Sequence, residues 1–171
     1  IKEGGISFGT NTDLMTEVIK AVRKVTKLPL ITKLSPNVSD IAKFATTAES
    51  AGSDIISLIN TLPAMAIDIN TWKPKIANIA GGLSGPAIKP VAIRMVHTAY
   101  KAVKIPIIGM GGISSANDAI EFFLAGASSV AVGTAIFSDP LCPVKIIDGI
   151  KKYLEKKNMN SISDIIGKVK Y

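Results

Sequence analysis

Apolar positions along this chain follow two alternating rhythms. Over residues 12–27, Leu14, Val18, Val22 and Val25 recur at helical spacing, with Thr12 or Asp13 placed to cap the first turn. After Pro29 a short apolar run, residues 30–34, stops at Ser35-Pro36-Asn37 and reads as a strand. Ser39 then opens a helix that runs through Ala51, and Gly52 stands where a left-handed residue ends such a helix. Residues 55–59 form a second strand, closed by Asn60, and 62–85 a long connection carrying Gly81-Gly82 and Gly85. Pro86 suits the first turn of a helix reaching residue 103. A strand over 105–109, a helix over 115–125 ended by Gly126, and a strand over 130–132 follow. Two lysine-rich helices complete the pattern, the last one starting near Ser161.

Four strands alternating with helices predict parallel βαβ units in an α/β fold. An internal echo sharpens this. Lys27-Leu28-Pro29-Leu30-Ile31 returns as Lys104-Ile105-Pro106-Ile107-Ile108, and Ala51-Gly52-Ser53 returns as Ala125-Gly126-Ala127, at nearly equal offsets. Two similar quarters of two βα units each are what half of a (β/α)₈ barrel would contain. The expected architecture is therefore one domain over 1–171, the C-terminal half of a TIM barrel. A doubly wound sheet is the competing arrangement.

Composition narrows the classes. The 171 residues are 47% hydrophobic and 19% charged, which excludes a disordered chain. No apolar stretch approaches the ~18 residues of a membrane span. One cysteine, Cys142, excludes an internal disulfide framework and a cysteine-cluster metal site. Low charge with much Ile, Val and Ala predicts strands buried on both faces. The formal charge is +7, and residues 143–171 hold seven Lys against three acids. Their spacing around short amphipathic helices reads as a solvated face. Aromatics are scarce, at 5%, and do not interleave with the basic residues, so no nucleic-acid platform is expected. The chain opens on Ile1, not Met, which suggests a piece of something longer, and residues 1–9 form no signal peptide; the expected location is cytoplasmic.

Barrel enzymes work at the C-terminal ends of their strands. Those ends read Lys33; Ile59-Asn60-Thr61; Gly109-Met110-Gly111-Gly112; and Gly133-Thr134. Glycine-rich ends beside helix N-termini expose N–H groups that favour an anion. In barrels, the loops after strands seven and eight usually hold a phosphate. Gly111, Gly112, Gly133 and Thr134 are that site if this is the second half; otherwise the glycines make tight turns. Lys33 is either a functional cation in an apolar strand or a strand-end lysine reaching solvent. Asn60-Thr61 offers donors and acceptors to a pocket, or is a polar terminus. His97 reads as a helix-surface residue, Cys142 as a small buried filler away from the pocket, the five methionines as packing, and Trp72 as an exposed rim.

Taken as words, Lys33-Leu34-Ser35-Pro36-Asn37-Val38, Ile59-Asn60-Thr61-Leu62, Gly81-Gly82-Leu83-Ser84-Gly85-Pro86-Ala87-Ile88-Lys89-Pro90, Gly109-Met110-Gly111-Gly112-Ile113 and Val132-Gly133-Thr134-Ala135 resemble the C-terminal half of dihydroorotate dehydrogenases, most closely the class 1B catalytic subunits. The resemblance spans essentially the whole chain. It implies an FMN-containing TIM barrel that oxidises dihydroorotate to orotate in pyrimidine (UMP) biosynthesis. Lys33 would contact the flavin ring and stabilise its reduced, anionic form, a role suited to a buried cation. Ile59 and Gly85 would reach FMN through their backbones, and Gly111, Gly112, Gly133 and Thr134 would hold its phosphate. Asn60 and Thr61 would hydrogen-bond the pyrimidine.

The same resemblance implies an iron–sulfur, FAD-carrying partner subunit linking the barrel to NAD, and a homodimer. It places the catalytic base, a cysteine, at a position before Ile1, so the 171 residues alone are expected to be inactive. Asn78-Ile79-Ala80-Gly81 matches the family's pattern only approximately. Two other readings share these motifs: a dihydropyrimidine dehydrogenase-like barrel, and a non-catalytic half-barrel that binds FMN or another phosphate ligand.

Overall fold

The computed structural model describes residues 5–171. A short helix α1 (Gly5–Thr10) leads into α2 (Thr12–Val25), capped by Asn11, whose Oδ1 accepts from the N–H groups of Asp13 and Leu14. The cap lies one residue before the expected Thr12. The buried stripe of α2 is also rotated: Met15 and Ile19 are buried, while the expected Val18, Val22 and Val25 are exposed. They line the side of the helix that no described residue covers.

Strand β1 (Ile31–Lys33) precedes α3 (Ile41–Ala51), capped by Asp40 rather than Ser39 and ended by Gly52 at φ +110°. After β2 (Ile55–Leu58), the segment expected to be a plain connection folds into β3 (Leu62–Ala64), β4 (Ile67–Asp68), β5 (Lys73–Pro74) and β6 (Gly81–Leu83). These form two small antiparallel pairs, β3 with β6 and β4 with β5, with Trp72 exposed at the turn. Strands of two or three residues are too short to show a period-two pattern, which is why the sequence read as a loop.

A 3₁₀ turn (Pro86–Ile88) opens α4 (Lys89–Tyr100), followed by β7 (Ile107–Met110) and α5 (Ala116–Ala125), capped by Ser115 and ended by Gly126 at φ +117°. Strand β8 (Ser129–Ala131), α6 (Ala135–Ser138) and α7 (Cys142–Lys156) follow. The last expected helix is one 3₁₀ turn, Ile162–Asp164, with a capping box from Ser161.

The four strands β1, β2, β7 and β8 form one sheet of order β1-β2-β7-β8, parallel throughout. This is the expected half-barrel, with sequential βα units adding strands in one direction. Helices α3, α4 and α5 close on the sheet through alanines that leave no gap: Ala45, Ala48, Ala92, Ala99 and Ala119 are fully buried. Phe122, Ile56, Leu58 and Ile107 fill the space beneath them. Burial of strands on both faces holds for β2 but not for β1, where Ile31 and Lys33 are exposed. Among the described residues β1 pairs with β2 alone and β8 with β7 alone, so each is an edge. Among the described residues no helix is long and apolar enough to cross a membrane.

Candidate functional site

The C-terminal ends of three of the four parallel strands, β1, β2 and β7, are laced together before they diverge into loops. Leu34 N–H donates to Ser57 O, Asn60 N–H to Leu34 O, and Ile59 N–H to Met110 O, at 2.8, 3.2 and 2.9 Å. The peptide bond between Leu58 and Ile59 is cis. At this end lies a cavity of about 490 Å³. All nine residues singled out in the sequence line it: Lys33, Ile59, Asn60, Thr61, Gly85, Gly111, Gly112, Gly133 and Thr134.

Their surroundings differ. Ile59 is buried, while Asn60 and Lys33 are exposed. The expectation that Lys33 is a buried cation is thus corrected: β1 is an edge strand, and its cavity side has no described cover. Thr61 is half-buried, its carbonyl accepting from Asn37 Nδ2 at 3.3 Å. Any Cβ at Gly82 would run into the Thr61 side chain, so Gly82 is small to let β6 close on it. Asn37 was not singled out in the sequence; its place in Ser35-Pro36-Asn37 is the one local signal, and its amide also donates to Ser35 Oγ.

At the other end of the cavity three glycine loops converge. Gly85, Gly111 and Gly112 have φ of +87°, +122° and +80°, conformations that L side chains resist. A Cβ at Gly112 would stand 2.7 Å from Gly85 O and 3.0 Å from Lys89 N, so these loops pack backbone to backbone. At Gly133 and Gly85 a Cβ would meet nothing, leaving both backbones open to an approaching group. Among the described residues no acceptor takes the N–H groups of Gly112, Gly133 or Thr134. Thr134 Oγ1 donates to Ser84 Oγ at 2.7 Å, joining the α6 loop to the end of β6. Unpaired N–H donors on a glycine-lined wall suit a phosphate group.

Cys142 is buried, as expected, but it lines the cavity, contrary to expectation. The first turn of α7 folds back beneath the Gly111–Gly112 loop, and Cys142 Sγ lies 3.5 Å from Ser114 O. Ser114, Ser138 and Asp139 also line it and carried no sequence signal, and Ser84, which joins them, stood in the sequence only as part of the Gly81–Pro90 stretch. His97 lies on α4, partly exposed, with Nε2 2.5 Å from Tyr171 Oη. Met65 is exposed in the β3–β6 segment, so packing does not account for all five methionines.

Behind the glycine wall, Asp118 in α5 accepts from Ser114 N–H, Ser114 Oγ and Ser115 Oγ at 3.0, 3.0 and 2.8 Å. Burial pushes the Asp118 carboxyl up, but hydrogen bonds from Lys89, Ser114 and Ser115 outweigh it and hold it at about 2. Its hydrogen bond to Asp118, and a second to Glu121, hold the Lys89 ammonium above its ordinary range. A carboxyl depressed below its usual 3.8 stabilises the fold above that pH, and the stabilisation is lost as pH falls through about 2. Asp118→Asn is therefore expected to cost about 1–2 kcal/mol at pH 7, allowing for partial solvent screening. Urea midpoints from pH 7 to pH 2 should show the two proteins converge at the acid end; an offset that persists unchanged would refute the assignment.

These features define a partial (β/α)₈ barrel with one ligand cleft at the C-terminal ends of its strands. A model of the family described as dihydroorotate dehydrogenase matches residues 1–154, and the chain belongs to that family. It is 56% identical, over 99% of its length and 56% of the relative's, to the dihydroorotate dehydrogenase B (NAD(+)) catalytic subunit of Alkaliphilus oremlandii. The protein of the same name from Brachyspira hyodysenteriae is 55% identical over 98% of this chain and 55% of its own. A crystal structure of dihydroorotate dehydrogenase from Eimeria tenella in complex with ferulenol superposes with TM-score 0.76 at 25% identity, over 92% of this chain and 48% of that one. The chain thus spans about half the length of the relatives it matches.

Proposed function

We propose that this chain forms the phosphate-binding and pyrimidine-binding side of an FMN-dependent dihydroorotate dehydrogenase of the B type. The observation that carries this is the meeting of all nine residues in one cavity, polar at the Asn60 end and glycine-lined at the other. The donor chemistry fits FMN: the N–H groups of Gly112, Gly133 and Thr134 would hold its phosphate, and Ile59 and Lys33 would line the part of the cavity that takes its ring system. FMN, when bound, accepts the hydride released as dihydroorotate becomes orotate.

The chain's own residues bind and orient. Asn60 and Thr61 hydrogen-bond the pyrimidine and hold its reacting carbon against the flavin face. The exposed Lys33 ammonium would supply positive charge to a flavin ring held in this cavity, and its effect would grow where water is excluded. The proton at C5 of the substrate passes to a base. Cys142 is a poor candidate for it, because the thiol is buried and engaged with Ser114 O. The relatives' printed name, a catalytic subunit acting with NAD(+), favours an iron–sulfur, FAD-carrying partner over the dihydropyrimidine dehydrogenase-like reading.

Anaerobic addition of dihydroorotate to the full-length enzyme that carries this sequence should bleach flavin absorbance. Asn60→Ala should slow that bleaching and lower kcat/KM by roughly 1–3 kcal/mol equivalent, because a ligand polar group loses its partner. Flavin content should stay at the parent level. Equal loss of flavin and of activity would make Asn60 a structural residue.

A further inference from the structure

Lys89 lies outside the cavity and belongs to none of the binding groups described above. Its side chain nevertheless meets the back of the glycine wall at two levels. The Lys89 main chain is packed against Gly112, whose Cβ, if present, would be 2.9 Å from Lys89 Cβ. The ammonium lies 2.6 Å from both Asp118 Oδ1 and Glu121 Oε1, with side-chain exposures of 22% for Lys89 and 13% for Asp118. The other oxygen of Asp118 accepts from Ser114, which lines the cavity. One carboxylate thus occupies the N-terminal turn of α5, hydrogen-bonded to a residue of the cavity wall.

Taken alone, that arrangement opposes anion binding: a fixed negative charge is hydrogen-bonded to a residue of the cavity wall, where it repels any anion the cavity takes. Lys89 offsets it. We propose that Lys89 is a positioning residue that neutralises Asp118 and so makes the Gly111–Gly112 loop receptive to the phosphate of the flavin. The proposal rests on the FMN reading above. Asp118 is retained because it ties Ser114 and Ser115 into the first turn of α5; Lys89 is what makes that tie compatible with an anionic ligand. The charge acts through the loop, and Lys89 touches neither ligand.

The test compares FMN with riboflavin, which has the same ring system and no phosphate, on the apo form of the full-length enzyme. Lys89→Met should weaken FMN about 10- to 30-fold, the scale of one unmasked charge at close range, and leave riboflavin within twofold. Lys89→Gln, which keeps a donor but no charge, should behave like Lys89→Met and serves if the methionine variant folds poorly. Lys89→Arg should restore FMN binding. Adding Asp118→Asn to Lys89→Met should recover most of the lost affinity, because Glu121, the other carboxylate left unpaired, is largely exposed and screened by solvent, whereas Asp118 is the one hydrogen-bonded to the cavity wall. Equal weakening of FMN and riboflavin, or no recovery in the double variant, would mean that Lys89 only supports the fold and would overturn the proposal. A parent protein that binds FMN no better than riboflavin would instead overturn the phosphate-site reading itself, whatever the variants do.

Discussion

Gly112→Asp in the full-length enzyme is expected to yield protein without bound flavin. Three costs add at this position. The backbone at φ +80° lies in the left-handed region, where a side chain costs about 1–2 kcal/mol. The new Cβ would fall 2.7 Å from Gly85 O and 3.0 Å from Lys89 N, main-chain atoms that can yield only if both loops shift. The carboxylate would then share the site with the ligand phosphate, a repulsion of roughly 4 kcal/mol per charge pair at about 4 Å in a surface-like dielectric. Even partial expression of these terms lowers affinity by about 10³-fold or more. The ratio of flavin to protein absorbance after purification reads the outcome directly, and a parent-like ratio would remove the glycine wall from the flavin site.

The second large effect lies in the core. Phe122 of α5 is fully buried, and its ring covers the Cα of Gly109 in β7. Phe122→Ala should destabilise the protein by about 3–5 kcal/mol, from lost transfer free energy plus the cavity left behind. Gly109→Ala is the mirror case, because its Cβ would stand 2.5 Å from Phe122 Cδ1, and overpacking of this kind costs about 1–3 kcal/mol. The double variant should be less unstable than the sum of the two, since the methyl group enters space the ring has vacated. Denaturant unfolding of the four proteins measures the coupling; strict additivity would mean that ring and glycine do not share that space.

Much of the molecule was legible in local chemistry. Gly52 and Gly126 end their helices in the left-handed conformation that their placement announced, and Ser115 caps α5 as read. Where side chains compete for a cap the reading slipped by one residue, to Asn11 and Asp40, because neighbouring Asn, Asp, Ser and Thr are nearly equivalent as acceptors. The short antiparallel pairs between β2 and α4 escaped because two or three residues carry no measurable period. The stripe on α2 was misjudged because valines can face an open edge as well as a core, and the pattern along one helix does not say which neighbour is present.

The chemistry-bearing positions Lys33, Asn60, Thr61, Gly111, Gly112, Gly133 and Thr134 were fixed by residue type and by their place after apolar runs. Strand ends in parallel βαβ units must emerge on the same side, so their order along the chain already implied one shared cleft. What only the tertiary structure decided is what stands around and behind them. The exposure of Lys33 depends on β1 being an edge, and the entry of Cys142 into the cavity wall depends on where α7 turns. The Lys89–Asp118 pair joins residues 29 apart in sequence. Such pairings arise when α4 and α5 pack side by side, and no local rule of spacing encodes which charge will meet which across that contact.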